Sequence, residues 1–149
     1  SPQRRLEEWR SGSAFNWTIQ DLPSSQFLGR IVLKKHDAEL NWSIGFWIHP
    51  IYQRNGFATE AARAVIYFAF KRLNAANIYS AHAHWNIASQ RVLEKLNMKL
   101  VGNNPCGLMK NGECIAECVY GISRNMWRRG DGKHMDMSLS MGKLTVDVD

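Results

Sequence analysis

Nowhere in the 149 residues does an apolar run approach the roughly 18 residues that a bilayer-crossing helix requires, which excludes a helical membrane span. The chain also lacks the charged, apolar, small-residue succession of a signal peptide, and a cytoplasmic setting is the default expectation. Cysteine is scarce. Cys106, Cys114 and Cys118 lie close in sequence, form no C-x-x-C element and cannot all pair, so they read as reduced thiols. A zinc centre would need a fourth ligand from far away; His82 and His84 share one face of an expected strand but read as ordinary strand histidines, and no metal is expected. Basic runs with interleaved aromatics are missing too. The formal charge of +6 suits an anionic partner, whether a phosphorylated cofactor, RNA or an acidic protein surface. The cations are nonetheless scattered, apart from the short Arg124–Arg129 stretch, so an RNA-binding domain has only net charge in its favour.

What is present is a globular pattern. A chain of this length fits one domain and can bury roughly 68–70% of its unfolded surface, and 45% hydrophobic content with six Trp and six Phe supplies the core. Pro2–Arg10 reads as a short polar helix end broken by Gly12. Phe15, Trp17 and Ile19 alternate with polar residues, and the Asp21–Ser25 turn leads into Phe27–Leu33, which predicts an antiparallel hairpin. Trp42, Ile44, Phe46 and Ile48 alternate again until Pro50, which brings no backbone NH to a ladder.

From Thr59 to Leu73 the period changes: Ala62, Val65, Ile66, Ala69 and Leu73 recur at helical spacing. Ile78–Trp85 is a short extended run, Ala88–Leu96 a second helix with Asn97 as a left-handed cap, and Met98–Val101 a further strand. Asn111-Gly112 is a hairpin signal, with Ile115–Ile122 returning. The order predicts an α/β fold, a mixed sheet with an antiparallel meander and a central parallel crossover, flanked by helices. Residues 1–129 form the expected domain. Residues 130–149, with glycines, methionines and alternating charge but no sustained period, form an expected loose extension.

The chemistry concentrates at Gln53–Ala58. A turn from strand to helix presents unsatisfied backbone NH groups, and the helix dipole adds partial positive charge where they converge, so such a turn binds phosphate. Gly56 lets an anion approach the backbone, Ala58 keeps the first helical turn uncrowded, and Arg54 adds a full charge at the rim. Gly-x-Ala alone is weak, since an ordinary helix entry looks the same.

Context decides: Ile44–Ala58, IGFWIHPIYQRNGFA, resembles the acetyl-CoA segment of the GNAT acetyltransferases, with its Gln/Arg-x-x-Gly-x-Gly/Ala signature. Tyr79–Leu96, YSAHAHWNIASQRVLEKL, is similar to the region where that superfamily, notably its RimJ/RimL-like branch, places Asn-x-x-Ser before a helix ending in Glu-Lys-Leu. The resemblance covers about Phe15 to Ser123. It implies a GNAT-like sheet whose central parallel strands splay, with the backbone of Phe46, Trp47 and Ile48 pairing with the pantetheine arm of acetyl-CoA. It implies that the Gln53, Arg54, Asn55, Gly56, Phe57, Ala58 and Thr59 turn holds the pyrophosphate, that Asn86 touches the cofactor, and that Ser89 protonates the departing CoA thiolate. A cap for local NH groups is the alternative role for Ser89.

The implied reaction is direct attack of a neutral amine on the thioester, the acceptor being a protein amino terminus or a small-molecule amine such as a polyamine or aminoglycoside. Two departures stand out. Relatives often carry Glu just before the Ile-Gly-aromatic-Trp strand, where this chain has Ser43; Glu39 and Asp37 lie nearby as candidate bases or as solvated turn residues. Glu117 stands where relatives often have Asp, and its role is open. The family also has a strand and two helices ahead of the first hairpin, of which only a short helical end is visible before Phe15. Strand faces so left bare lead to an expected homo-oligomer, or to cover from the 130–149 segment. Three function classes therefore compete: an acetyl-CoA-dependent N-acetyltransferase, a non-catalytic module of the same fold, and the weakly supported RNA-binding domain.

Overall fold

The computed structural model describes residues 2–36, 39–130 and 144–146. The alternating segments form a meander of β1 (Ala14–Gln20), β2 (Phe27–Lys35) and β3 (Asn41–Ile48), preceded by α1 (Pro2–Ser11). A 3₁₀ turn at Pro50–Tyr52 leads to α2 (Phe57–Lys71), then β4 (Asn77–Ala83), α3 (Ile87–Lys95), β5 (Lys99–Lys110), β6 (Glu113–Ser123), α4 (Arg124–Arg129) and β7 (Leu144–Val146). The strands make one sheet in the order β5-β6-β4-β3-β2-β1-β7, with β3 and β4 parallel and the other pairs antiparallel. This is the mixed α/β sheet that the order of periods predicts. Among the described residues no helix is long and apolar enough to cross a membrane.

Period two puts Phe15, Trp17 and Ile19 of β1, Ile31 and Leu33 of β2, and Trp42, Ile44 and Ile48 of β3 on one buried face. The helical stripe of α2, Ala62, Val65, Ile66 and Ala69, closes over them together with Leu93 of α3. The β2–β3 contact is close at one point. A side chain at Gly29 would collide with the Trp47 carbonyl oxygen, so only glycine lets the strands meet there. On the outward face Arg30, Trp47 and Ala81 are exposed.

Turn chemistry behaves as its residues dictate. Asn111 (φ 53°) and Gly112 (φ 80°) both occupy the left-handed region, the geometry a two-residue hairpin between β5 and β6 needs. Asn97 (φ 62°) follows α3 as its left-handed cap. The Met98 amide donates to Leu93 O (3.1 Å) and the Asn97 amide to Glu94 O (3.0 Å), while Leu93 and Met98 bury together, which completes a Schellman motif.

Several expectations need correction. Cys106 and Cys114 form a disulfide and only Cys118 is free, so reading all three as thiols was wrong. The ladder from Lys110↔Glu113 to Leu108↔Ile115 breaks before Asn104, and the irregular segment carries Cys106 back to Cys114, with Cα atoms 4.6 Å apart. β5 runs nine residues beyond the expected end at Val101; Pro105 is tolerated because β5 is the sheet edge and the break falls around it. His84 lies past the end of β4, exposed, whereas His82 is buried within it, so the two do not share a strand face.

The Arg124–Arg129 stretch is a short helix with a structural duty. Arg124 donates to Phe70 O (2.9 Å), Ala75 O (2.9 Å) and Asn74 Oδ1 (2.8 Å), satisfying carbonyls at the end of α2, and Trp127 stacks on Phe70 at 5.0 Å. Within 130–149, Leu144–Val146 pairs with β1. The remainder of the expected loose extension lies outside the described residues.

Candidate acetyl-CoA site at the strand splay

β3 and β4 pair only over Asn41–Ser43 and Asn77–Tyr79. Immediately beyond, the Ser80 hydroxyl donates to Ile44 O at 2.8 Å, taking the first carbonyl that the parallel ladder leaves open. From there the strands separate. The unpaired end of β3, at Phe46–Ile48, lines a cavity of about 580 Å³ between the amino end of α2 and one side of α3.

The sequence-predicted residues converge on it. Phe46, Trp47 and Ile48 of β3, Gln53, Arg54, Gly56, Phe57, Ala58 and Thr59 of the turn and first helical turn, and Asn86 and Ser89 of α3 all line the cavity. Asn55 does not. Its side-chain amide donates to Tyr52 O (3.1 Å) and Gln53 O (3.2 Å), so it shapes the turn from behind. Gln53 Nε2 donates to Ile48 O at 3.1 Å, which engages that carbonyl and ties the turn to the strand end.

The α2 entry has the properties of an anion site. Gly56 sits at the N-cap with φ 77° and no side chain caps the helix, so the first-turn amides are unmet by any capping group. Nothing lies within 4 Å of the place a Gly56 side chain would take, and the backbone is open to the cavity. Arg54 (φ 68°) stands at the same turn. These features fit a pyrophosphate held by helix amides, with dipole and guanidinium adding positive charge.

The α3 entry is capped differently. Asn86 Oδ1 accepts the Ser89 amide at 3.1 Å. The Ser89 hydroxyl makes no hydrogen bond among the described residues, so the capping role falls to Asn86.

Sequence reasoning missed Tyr52, Ile87, Ala88, Arg91, Val92 and Lys95, which complete the wall. A signal existed: Ala88, Arg91, Val92 and Lys95 fall at three- and four-residue spacing after Asn86 and share a face of α3. The wall holds three cations and no Asp or Glu.

Neither Glu39 nor Glu117 is part of this wall. Glu39 lies in the turn ahead of β3, at the closed end of the β3–β4 pair, and the extended run from Asn41 to Phe46, about 17 Å long, lies between that turn and the cavity. Asp37 is outside the described residues. Glu117 pairs with Ala83 and Asn104, and its carboxylate lies against Gly107, where any side chain would collide with it. Nearby, Tyr120 is packed at 5.6 Å from the His82 ring; burial, then Glu94, then Cys118 hold its hydroxyl above the ordinary tyrosine range.

The model of the Acetyltransferase (GNAT) domain family matches residues 2–99. The N-acetyltransferase YnaD of Bacillus subtilis (strain 168), described as uncharacterized, is 34% identical over 100 residues, which are 67% of this chain and 59% of that protein. The chain thus spans about three fifths of the length of this curated relative. A GNAT-family acetyltransferase from Bacillus anthracis superimposes with a TM-score of 0.68 at 29% identity, covering 72% of this chain and 65% of that one. RimJ of Mycobacterium smegmatis, solved in complex with CoA-disulfide, superimposes with a TM-score of 0.79 at 18% identity, covering 97% of this chain and 68% of that one, a likeness of fold.

Proposed function

The chain belongs to the GNAT acetyltransferase family, and on that premise we propose that it transfers the acetyl group of acetyl-CoA to a primary amine, a protein amino terminus or a small-molecule amine. The observation that carries this reading is convergence: the end of β3 that is unpaired with β4 and the uncapped amino end of α2 line one cavity. IGFWIHPIYQRNGFA and the Asn86–Ser89 element favour the RimJ/RimL-like branch and, with it, a protein amino terminus over a polyamine.

When bound, acetyl-CoA supplies a thioester that a neutral amine can attack directly, so no covalent enzyme intermediate is needed. The amides of Arg54 and Gly56–Thr59 would hold the pyrophosphate, and the backbone of Phe46–Ile48 would orient the pantetheine arm, with a strand amide available to stabilise negative charge on the thioester oxygen. The Ser89 hydroxyl, uncommitted to the helix cap, holds the proton that the thiolate takes up. Orientation supplies much of the rate. In this reading residues 1–129 are the acetyltransferase domain, 130–149 an extension, and the exposed outward face of the sheet an oligomer contact.

A second reading is a cofactor-binding module without turnover. It is favoured by one observation, the lack of any carboxylate in the cavity wall to relieve the amine of its proton.

The deciding experiment incubates the chain with acetyl-CoA and a panel of amines and peptides while free thiol is followed. Acceptor-dependent thiol release supports the enzyme. Tight acetyl-CoA binding without release across the panel supports the module, and no binding at all rejects both.

A further inference from the structure

His82 of β4 is 4% exposed, and only one of its ring nitrogens is engaged. Nδ1 lies 2.7 Å from Ala83 O; a carbonyl only accepts, so Nδ1 carries the proton and Nε2 the lone pair. Nε2 is buried and meets no hydrogen-bond partner among the described residues. A buried acceptor left open costs stability, and a strand position that only filled the core would be better served by an aliphatic side chain.

Register places that ring at the splay. β3 and β4 pair as far as Ser43↔Tyr79, and three residues further the same register sets His82 level with Phe46, a wall residue of the cavity, on the side of the sheet that the helices cover. From above, Ser89 stands one turn before Leu93 on the same face of α3, and Leu93 is fully buried in the core. The Ser89 hydroxyl and the His82 ring thus enter one layer, between the amino end of α3 and the splayed part of β4. Its titratable neighbours are few. Cys118 and Tyr120 of β6 share the face of His82, Glu94 of α3 bears on Tyr120, and the stripes that β3 and α2 turn toward the core carry none.

Acetyl transfer to an amine frees a proton at one atom and consumes one at another. As the C–N bond forms and the C–S bond breaks, the nitrogen sheds a proton and the departing sulfur takes one up, and both atoms are then bonded to the same carbonyl carbon. A single base beside that carbon serves both transfers. It needs one ring nitrogen fixed and the other free, which is the state of His82. Resting on the acetyl-transfer reading above, we propose that His82 is the proton shuttle of the reaction: Nε2 accepts the proton that the amine sheds and returns it, through the Ser89 hydroxyl, to the sulfur, so that CoA leaves as the neutral thiol and the ring ends as it began. The shuttle supplies the base that the acid-free cavity wall lacks.

Wild type and His82→Gln, which keeps a polar side chain, are compared by thiol release against pH with the best acceptor of the amine and peptide panel, and by calorimetry with CoA. The ring must start neutral, so wild-type kcat is expected to fall on the acid side, within the window of about pH 5–8 where an imidazole changes charge. The acceptor's own ionisation is common to both proteins. The variant should lose the histidine limb and about 100-fold in kcat while binding CoA as wild type does. A substitution at a buried position costs stability, so circular dichroism checks the fold, and a second measurement needs wild type alone: NMR of the His82 ring with CoA bound, expected to show Nε2 gaining a proton across about pH 8 to 5 while Nδ1 stays protonated. A ring that keeps one protonation state over that range overturns the shuttle whatever the variant does. A folded variant with wild-type kcat, or one that is slow but keeps the same acid limb, overturns it too and leaves acetyl transfer standing. Wild type that releases no thiol with any amine overturns the acetyl-transfer reading and the shuttle together.

Discussion

The Asn86 side-chain oxygen accepts the Ser89 amide at 3.1 Å, so the amino end of α3 is capped by Asn86 while the Ser89 hydroxyl stays uncommitted at the cavity wall. Two neighbouring polar residues thereby separate into a structural and a chemical role, and the separation can be measured.

Ser89→Ala should lower turnover by about 100-fold, the lower range for a positioned proton donor, with cofactor affinity and melting temperature unchanged. Asn86→Ala should instead cost about 1 kcal/mol of stability through the lost cap. Thermal unfolding beside steady-state kinetics separates them. A Ser89→Ala protein that melts early but turns over normally would assign the hydroxyl to structure.

Gly56→Trp should abolish tight acetyl-CoA binding by filling the space beside the turn, where a Cβ meets nothing within 4 Å. An L-residue at φ 77° costs roughly 1–2 kcal/mol, so some stability is lost as well. Loss of even one charge-assisted bond to phosphate, roughly 1.5–3 kcal/mol, weakens binding about tenfold or more. Calorimetry on a folded variant with wild-type affinity would reject the α2 turn as the site.

The Tyr120 hydroxyl, held above its ordinary value by burial and by Glu94 and Cys118, makes stability fall at alkaline pH. Below about pH 10 the tyrosine is neutral in both states and adds no pH dependence; above it the unfolded chain ionises first and the folded state loses ground. Tyr120→Phe should therefore flatten the decline in melting temperature between roughly pH 9 and 11. Parallel curves for the two proteins would remove Tyr120 from the alkaline limb.

The outward sheet face and its surroundings leave large apolar groups in water, Trp47 at 49%, Trp85 at 59% and Val101 at 59% exposure. We expect self-association at micromolar concentration, read as a dimer or larger species by light scattering. A compact monomer at high micromolar concentration that binds little hydrophobic dye would show that this surface needs no cover.

Much of the fold was legible because local chemistry and tertiary demand agree. Period-two alternation at Phe15–Ile19 and Trp42–Ile48 made strands that bury one face, and Asn111-Gly112 and Asn97 made the turns that left-handed residues make. Phe46–Ile48, Gln53, Arg54 and Gly56–Thr59, with Asn86 and Ser89, converge on one cavity, while the Asn55 side-chain amide bonds inward to the turn.

What only the tertiary structure decided concerns groups whose partners are far away in the chain or whose direction depends on register. The Cys106–Cys114 bond depends on a break in the β5–β6 ladder that no spacing rule announces. Arg124 looked like part of a basic patch and instead satisfies carbonyls some 50 residues earlier, at the end of α2. Glu39 is near the splayed strand in sequence and distant in space, because an extended strand separates neighbours at over 3 Å per residue. Arg91 and Lys95 became members of the cavity wall only once two parallel strands set α2 and α3 side by side. Sequence by itself determined the core elements up to Met98 and the motif, since these rest on the preferences of adjacent residues; the extent of β5, the later elements and the charge lining of the site came from packing, which only the assembled sheet can specify.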